Sequence, residues 1–199
     1  MRPGGRHIKK TEGRLIVDLY ACFLIPAYTL LYAGGTKWFS TNFSVLATGT
    51  PARFLSCLYW GVLLGAYYAV MMVRIGRTMK RSALPGVLTV LACVCLVAAL
   101  LLPYAPEQLP QEARLHVILS FSACALMMLV LLLILLQLYG RSAAYRRMLK
   151  YWAGIVSVSG LLFFAAGKVT SLVEIWFVIT TALLIRGLWL QRTAECEIK

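Results

Sequence analysis

LHVILSFSACALMMLVLLLILLQLY, residues 115–139, runs for 25 positions without an Asp, Glu, Lys or Arg. As a helix it would extend about 37 Å at 1.5 Å per residue, more than the roughly 30 Å hydrocarbon core of a bilayer. It contains no Pro or Gly to break the helix, and Leu dominates its second half. The run therefore reads as a membrane span. Five further apolar runs of spanning length lie at 15–34, 54–73, 84–104, 149–167 and 170–190. The run at 149–167 carries the weakest signal, being short and interrupted by Gly154, Ser157, Ser159 and Gly160.

Six spans of about 20 residues would occupy roughly 120 positions. The composition agrees, with 61% of the 199 residues hydrophobic and 14% charged. The predicted fold is all-α: a polytopic six-transmembrane-helix bundle over 15–190, preceded by a basic segment at 1–14 and followed by a short tail at 191–199. Disordered, collagen-like and disulfide-rich secreted classes are excluded, and no room is left for a separate soluble catalytic domain.

The net charge of +13 is unevenly distributed. Sixteen of the 20 Lys and Arg fall in the N-terminal segment, in the loops around Arg74–Arg81 and Arg141–Lys150, and near the C-terminus; only Lys37, Arg53, Arg114 and Lys168 fall on the other side. This division predicts that both termini are cytoplasmic and requires an even number of spans. The basic excess is thus a topology determinant that also favours anionic head groups, and nucleic acid is not an expected partner. The expected location is the plasma membrane. Asp18 and the length of the first run argue for a retained helix rather than a cleaved signal peptide. Trp38, Trp60, Trp152, Trp176 and Trp189 are expected near the interfaces, and Thr50-Pro51 reads as the cap and first turn of the second span.

Familiar catalytic patterns are missing. The six cysteines form no CxxC, and Cys93 and Cys95 face different sides of a helix, so they read as small core residues. With only His7 and His116, the chain cannot supply a zinc-hydrolase helix, and neither a P-loop, GxGxxG nor GxSxG is present. No cofactor or metal is expected. A serine nucleophile at Ser120, one turn from His116, lacks any third group.

Polar residues inside apolar runs are more informative, because hydrocarbon penalises them unless a partner or water relieves the cost. Asp18 lies a turn into the first span, with Arg14 as its expected i−4 partner. Glu174 lies a turn into the sixth span from the opposite side, with Lys168 the nearest charge in sequence. His116 and the loop WFSTNFSV (38–45) share that outer side, and Asn42 is the only asparagine in the chain. The expected ligand-binding residues are Asn42, His116 and Glu174, grouped in one outward-facing polar cavity with the loop as lid. Asn42-Phe43-Ser44 also matches the glycosylation acceptor pattern. Gly61 and Gly65 form a GxxxG expected at a tight helix contact, and Pro26 should bend the first span.

The six-span layout, the proline-bearing outer segment at Pro103 ahead of His116, and the acidic Glu174 at the outer end of the last span together resemble the Frag1/DRAM/Sfk1-like membrane families and their bacterial relatives. The chain departs from them in reading Leu-Pro-Tyr where an aromatic would directly precede the proline, and in its long spacing to His116. The resemblance implies lipid handling or regulation within the membrane. The expected function is non-enzymatic binding or regulation of a lipid or lipid-linked molecule at the outer face, with membrane lipids and a small lipid-like ligand as partners. The alternatives are a proton- or ion-coupled transporter using Asp18 and Glu174, an embedded enzyme using His116 and Glu174, and a partner subunit without a ligand.

Overall fold

A computed structural model describes residues 4–77, 79 and 83–197. Arg2, Lys80, Arg81 and Lys199 of the basic set lie outside these residues. The described chain is helical, without strands: α1 Gly4–Leu19, a π turn Tyr20–Leu24, α2 Ile25–Ala33, α3 Phe43–Ala47, α4 Pro51–Gly76, α5 Ala83–Leu101, α6 Pro110–Leu138, α7 Ala143–Ala166 and α8 Ser171–Glu197. Six segments are long and apolar enough to cross a membrane: Glu12–Ala33, Pro51–Gly76, Ala83–Leu101, Pro110–Leu138, Ala143–Ala166 and Ser171–Cys196. The protein is therefore an integral, multi-pass membrane protein.

Proline sets several boundaries. The third span stops at Leu101 rather than at residue 104, since Leu102 precedes Pro103, whose ring disfavours helical backbone at the preceding residue. In the first span Pro26 is preceded by the π turn, in which the Ile25 N–H reaches back to the Tyr20 carbonyl. The widened turn accommodates a ring that would otherwise meet the carbonyl four residues earlier. Thr50 caps α4 as the sequence predicts, its hydroxyl accepting from the Arg53 N–H, with Pro51 at the first helical position. The run at 149–167 proves to be a complete helix, α7, that packs on α6 and α8 while exposing most of its length. Residues 191–197, expected as a tail, continue α8.

The main core joins Tyr67, Met71 and Ile75 of α4 to Leu131, Ile134 and Leu138 of α6 and Ile185 and Leu188 of α8. Hydrogen bonds cross it, because a membrane interior offers no water to satisfy a buried donor. Tyr67 and Tyr68 donate to the Ala182 and Val178 carbonyls of α8 at 3.0 and 3.3 Å. Two tryptophans turn their indole N–H toward neighbouring helices: Trp60 donates to Thr29 Oγ1 at 2.9 Å and Trp152 to the Met128 carbonyl at 3.0 Å. The GxxxG face meets α5. A Cβ on Gly61 would fall 2.5 Å from Leu100 Cδ1, and one on Gly65 3.1 Å from Leu96 Cδ2.

Asp18 pairs chiefly across the bundle. Its Oδ1 lies 2.7 Å from Arg186 Nε on α8, whereas the expected partner Arg14 stands 3.9 Å from Oδ2. The first and last spans are thus joined by an ion pair near the end of the bundle that carries the termini. Between α7 and α8 runs a mainly apolar cavity of about 480 Å³, bordered by Tyr151, Gly154, Trp176, Leu183 and Gly187.

Candidate functional site

The opposite end of the bundle is organised by the loop that the sequence singles out. After α2 the chain turns at Gly35, whose φ of +71° lies in the left-handed region that glycine adopts without a Cβ penalty. The last α2 carbonyl, that of Ala33, accepts from the Thr36 hydroxyl at 2.6 Å and from the Trp38 indole at 3.0 Å. Donors following the helix thus satisfy a carbonyl that the helix leaves open.

Residues 38–43 then lie along residues 168–174, the segment leading into α8 and its first turn, and six hydrogen bonds hold the two segments together. Leu172 N–H donates to the Trp38 carbonyl at 3.1 Å, and the Ser171 N–H and hydroxyl both donate to the Thr41 carbonyl, at 2.6 and 3.1 Å. Lys168 Nζ donates to the Ser40 carbonyl at 3.0 Å. In the other direction, Phe43 N–H donates to Glu174 Oε2 at 2.7 Å, and Asn42 Nδ2 reaches the Val169 carbonyl at 3.5 Å. The loop's carbonyls thus receive amides from the first turn of α8, while a carboxylate in that turn receives the first amide of α3. Each helix start supplies what the other lacks.

Asn42 is the N-cap of α3: its backbone is extended and its Oδ1 accepts from the Val45 N–H at 2.9 Å. With its nitrogen on Val169 and its oxygen on Val45, both ends of the amide are engaged, so the glycosylation-like triplet serves as a cap in this structure. Phe43 plugs the bundle beneath it. It is buried, meeting Tyr32 and Trp60 edge-on with ring centroids 5.1 Å apart in each case. Tyr32 Oη donates to the Phe43 carbonyl at 3.2 Å.

On the other side of the loop, Ser44 Oγ lies 2.8 Å from His116 Nε2, and His116 Nδ1 lies 3.0 Å from the Leu102 carbonyl. A carbonyl can only accept, so Nδ1 carries a proton. In the neutral ring Nε2 is then the acceptor, and the Ser44 hydroxyl donates to it. The Leu102 carbonyl is open to the ring because the chain has left α5 and is about to enter Pro103. Tyr104 packs against the imidazole at a centroid distance of 5.6 Å.

The structure therefore brings Asn42, His116 and Glu174 together around three successive loop residues, Asn42, Phe43 and Ser44. Glu174 holds Phe43, whereas the two ring nitrogens of His116 are engaged by Ser44 and by the Leu102 carbonyl. Ser120, one turn along the helix, is not the residue hydrogen-bonded to the histidine. Ser44, 72 residues away in sequence, takes that place. Ser44 belongs to the polar string of the loop, yet nothing local in the sequence couples that string to a histidine on another span. Among the described residues no group of three or more His, Cys, Asp or Glu could hold a metal ion. No family model, curated protein or solved structure matches this chain.

Proposed function

We propose that the protein crosses the cell membrane with both termini in the cytoplasm and binds a lipid or lipid-linked molecule where the loop at 38–45 meets the outer leaflet. The charge division supports that orientation. The observation that carries the binding assignment is the contrast within the loop. Its main chain is fixed by five hydrogen bonds to residues 168–174 and the Asn42 side chain adds a sixth, yet Phe39 is 73% exposed and Trp38 37% exposed. A pinned loop that presents aromatic surface at a span end is suited to the boundary between acyl chains and head groups, where such rings partition favourably. The resemblance read in the sequence points the same way.

The two acidic residues do not favour the transporter reading. Asp18 and Glu174 lie at opposite ends of the bundle, and each is engaged by the protein itself, by Arg186 and by the Phe43 amide. Phe39→Ser tests the assignment, because it removes exposed apolar surface without touching a hydrogen bond. In native mass spectrometry after detergent exchange, the variant should retain several-fold less phospholipid than the parent at an unchanged melting temperature. Equal lipid retention would contradict the assignment.

A further inference from the structure

We propose that Ser44 and His116 form a nucleophile and base that cleave an ester bond of a lipid at the loop end of the bundle, an assignment that rests on the lipid-binding reading above. The geometry is that of an activated hydroxyl. Ser44 Oγ is 2.8 Å from His116 Nε2, within the 2.6–3.2 Å reach that general-base catalysis requires. The far nitrogen is held at 3.0 Å by the Leu102 carbonyl, which fixes both the ring orientation and the tautomer. The same task falls to a carboxylate in the Ser-His-Asp arrangement, where the third group orients the imidazole and stabilises its charged form. A carbonyl dipole performs the orienting part fully and the stabilising part more weakly.

The position suits the substrate. Ser44 and His116 are both partly exposed, and the next residue, Val45, is 44% exposed. The ring is tied to the first residue beyond α5, so the pair stands at the end of the membrane-crossing segments. This is the level at which a glycerolipid carries its ester carbonyls, between the hydrocarbon and the head group. Exposed Phe39 and Val45 provide apolar surface on the same loop for the chain that accompanies such an ester.

The chemistry balances without a cofactor. Ser44 Oγ adds to the ester carbonyl carbon as its proton passes to His116 Nε2. The carbon–oxygen bond to the alcohol then breaks, and His116 returns the proton to the departing alkoxide, leaving the acyl group on Ser44. Water, deprotonated by the same nitrogen, releases the fatty acid and regenerates the hydroxyl. Glu174 acts as a positioning residue: its carboxylate holds the Phe43 amide, next to the nucleophile, and stays out of the proton path.

The test is covalent labelling of the full-length protein in phospholipid nanodiscs with a fluorophosphonate, which phosphonylates a serine hydroxyl that a base has activated. Peptide mass analysis should place one phosphonyl group on Ser44. Ser44→Ala should abolish the label, and His116→Gln, which keeps a hydrogen-bonding side chain toward the loop, should slow it on the order of 100-fold, the scale of a lost general base. Unlabelled Ser44 in the parent protein would overturn the assignment, as would an equal labelling rate in folded His116→Gln. Phospholipid retained by the same protein after detergent exchange, read by native mass spectrometry, separates the two readings. Bound lipid with an unlabelled Ser44 overturns the dyad alone, whereas a labelled Ser44 in protein that retains no lipid supports the dyad and contradicts the lipid assignment.

Discussion

Glu174 shows at single-residue scale how a position costly in hydrocarbon can be stabilising. Its Oε2 receives the Phe43 N–H at 2.7 Å, so the carboxylate is held by a main-chain donor rather than by the nearby Lys168, which bonds the Ser40 carbonyl instead. Two ways of removing the carboxyl group should therefore differ. Glu174→Gln keeps an oxygen acceptor for the amide and should lower the melting temperature in detergent only slightly. Glu174→Ala leaves the Phe43 amide without its acceptor and should cost about 1–3 kcal/mol, the scale of an unsatisfied buried donor. Equal losses in the two variants would mean that the oxygen acceptor offered to the Phe43 amide is not what stabilises the loop. The sequence marks Asn42, His116 and Glu174 because each is a polar residue beside apolar runs. It does not reveal what they bond, since the partners are a main-chain amide, a main-chain carbonyl and the hydroxyl of Ser44, and main-chain groups carry no sequence signature. Asp18 gives the same lesson: Arg14 is the visible partner at i−4, but Arg186, 168 residues away, makes the shorter contact.

Among the elements, the helices are the most legible part of the molecule, because hydrophobic length is a direct physical requirement of a span. All six runs become helices, and the differences lie at their ends. Pro103 shortens the third, and α8 runs on through the residues expected as a tail. The contact made by the GxxxG of α4 is legible as a close approach but not as to partner or ranking. Both glycines face leucines of α5, and Gly61 is the tighter, with 2.5 Å available to a Cβ against 3.1 Å at Gly65. Gly61→Leu should accordingly reduce the yield of folded, monodisperse protein in detergent more than Gly65→Leu. The reverse order in size-exclusion profiles would place the α4–α5 approach elsewhere along the helix.

The whole molecule is tied at both ends through α8. Near the termini the Asp18–Arg186 pair joins it to the first span, and at the far end the loop at 38–43 joins it to α2 and α3. Six crossings follow from the composition, while the mutual capping of α3 and α8 depends on bringing together residues more than 120 positions apart, which no local pattern encodes. The central claim is that this capped loop is a rigid element seated at the outer head-group level, with its aromatic tip toward lipid. A spin label at Phe39→Cys, in a protein whose six native cysteines have been replaced and which is oriented in vesicles, measures this directly. Collision with oxygen and with a membrane-impermeant nickel chelate should place the label at the boundary between acyl chains and head groups, on the face opposite the termini, with the line shape of a restrained site. A label freely tumbling in bulk water, or one reached by the chelate only from the side of the termini, would contradict the account.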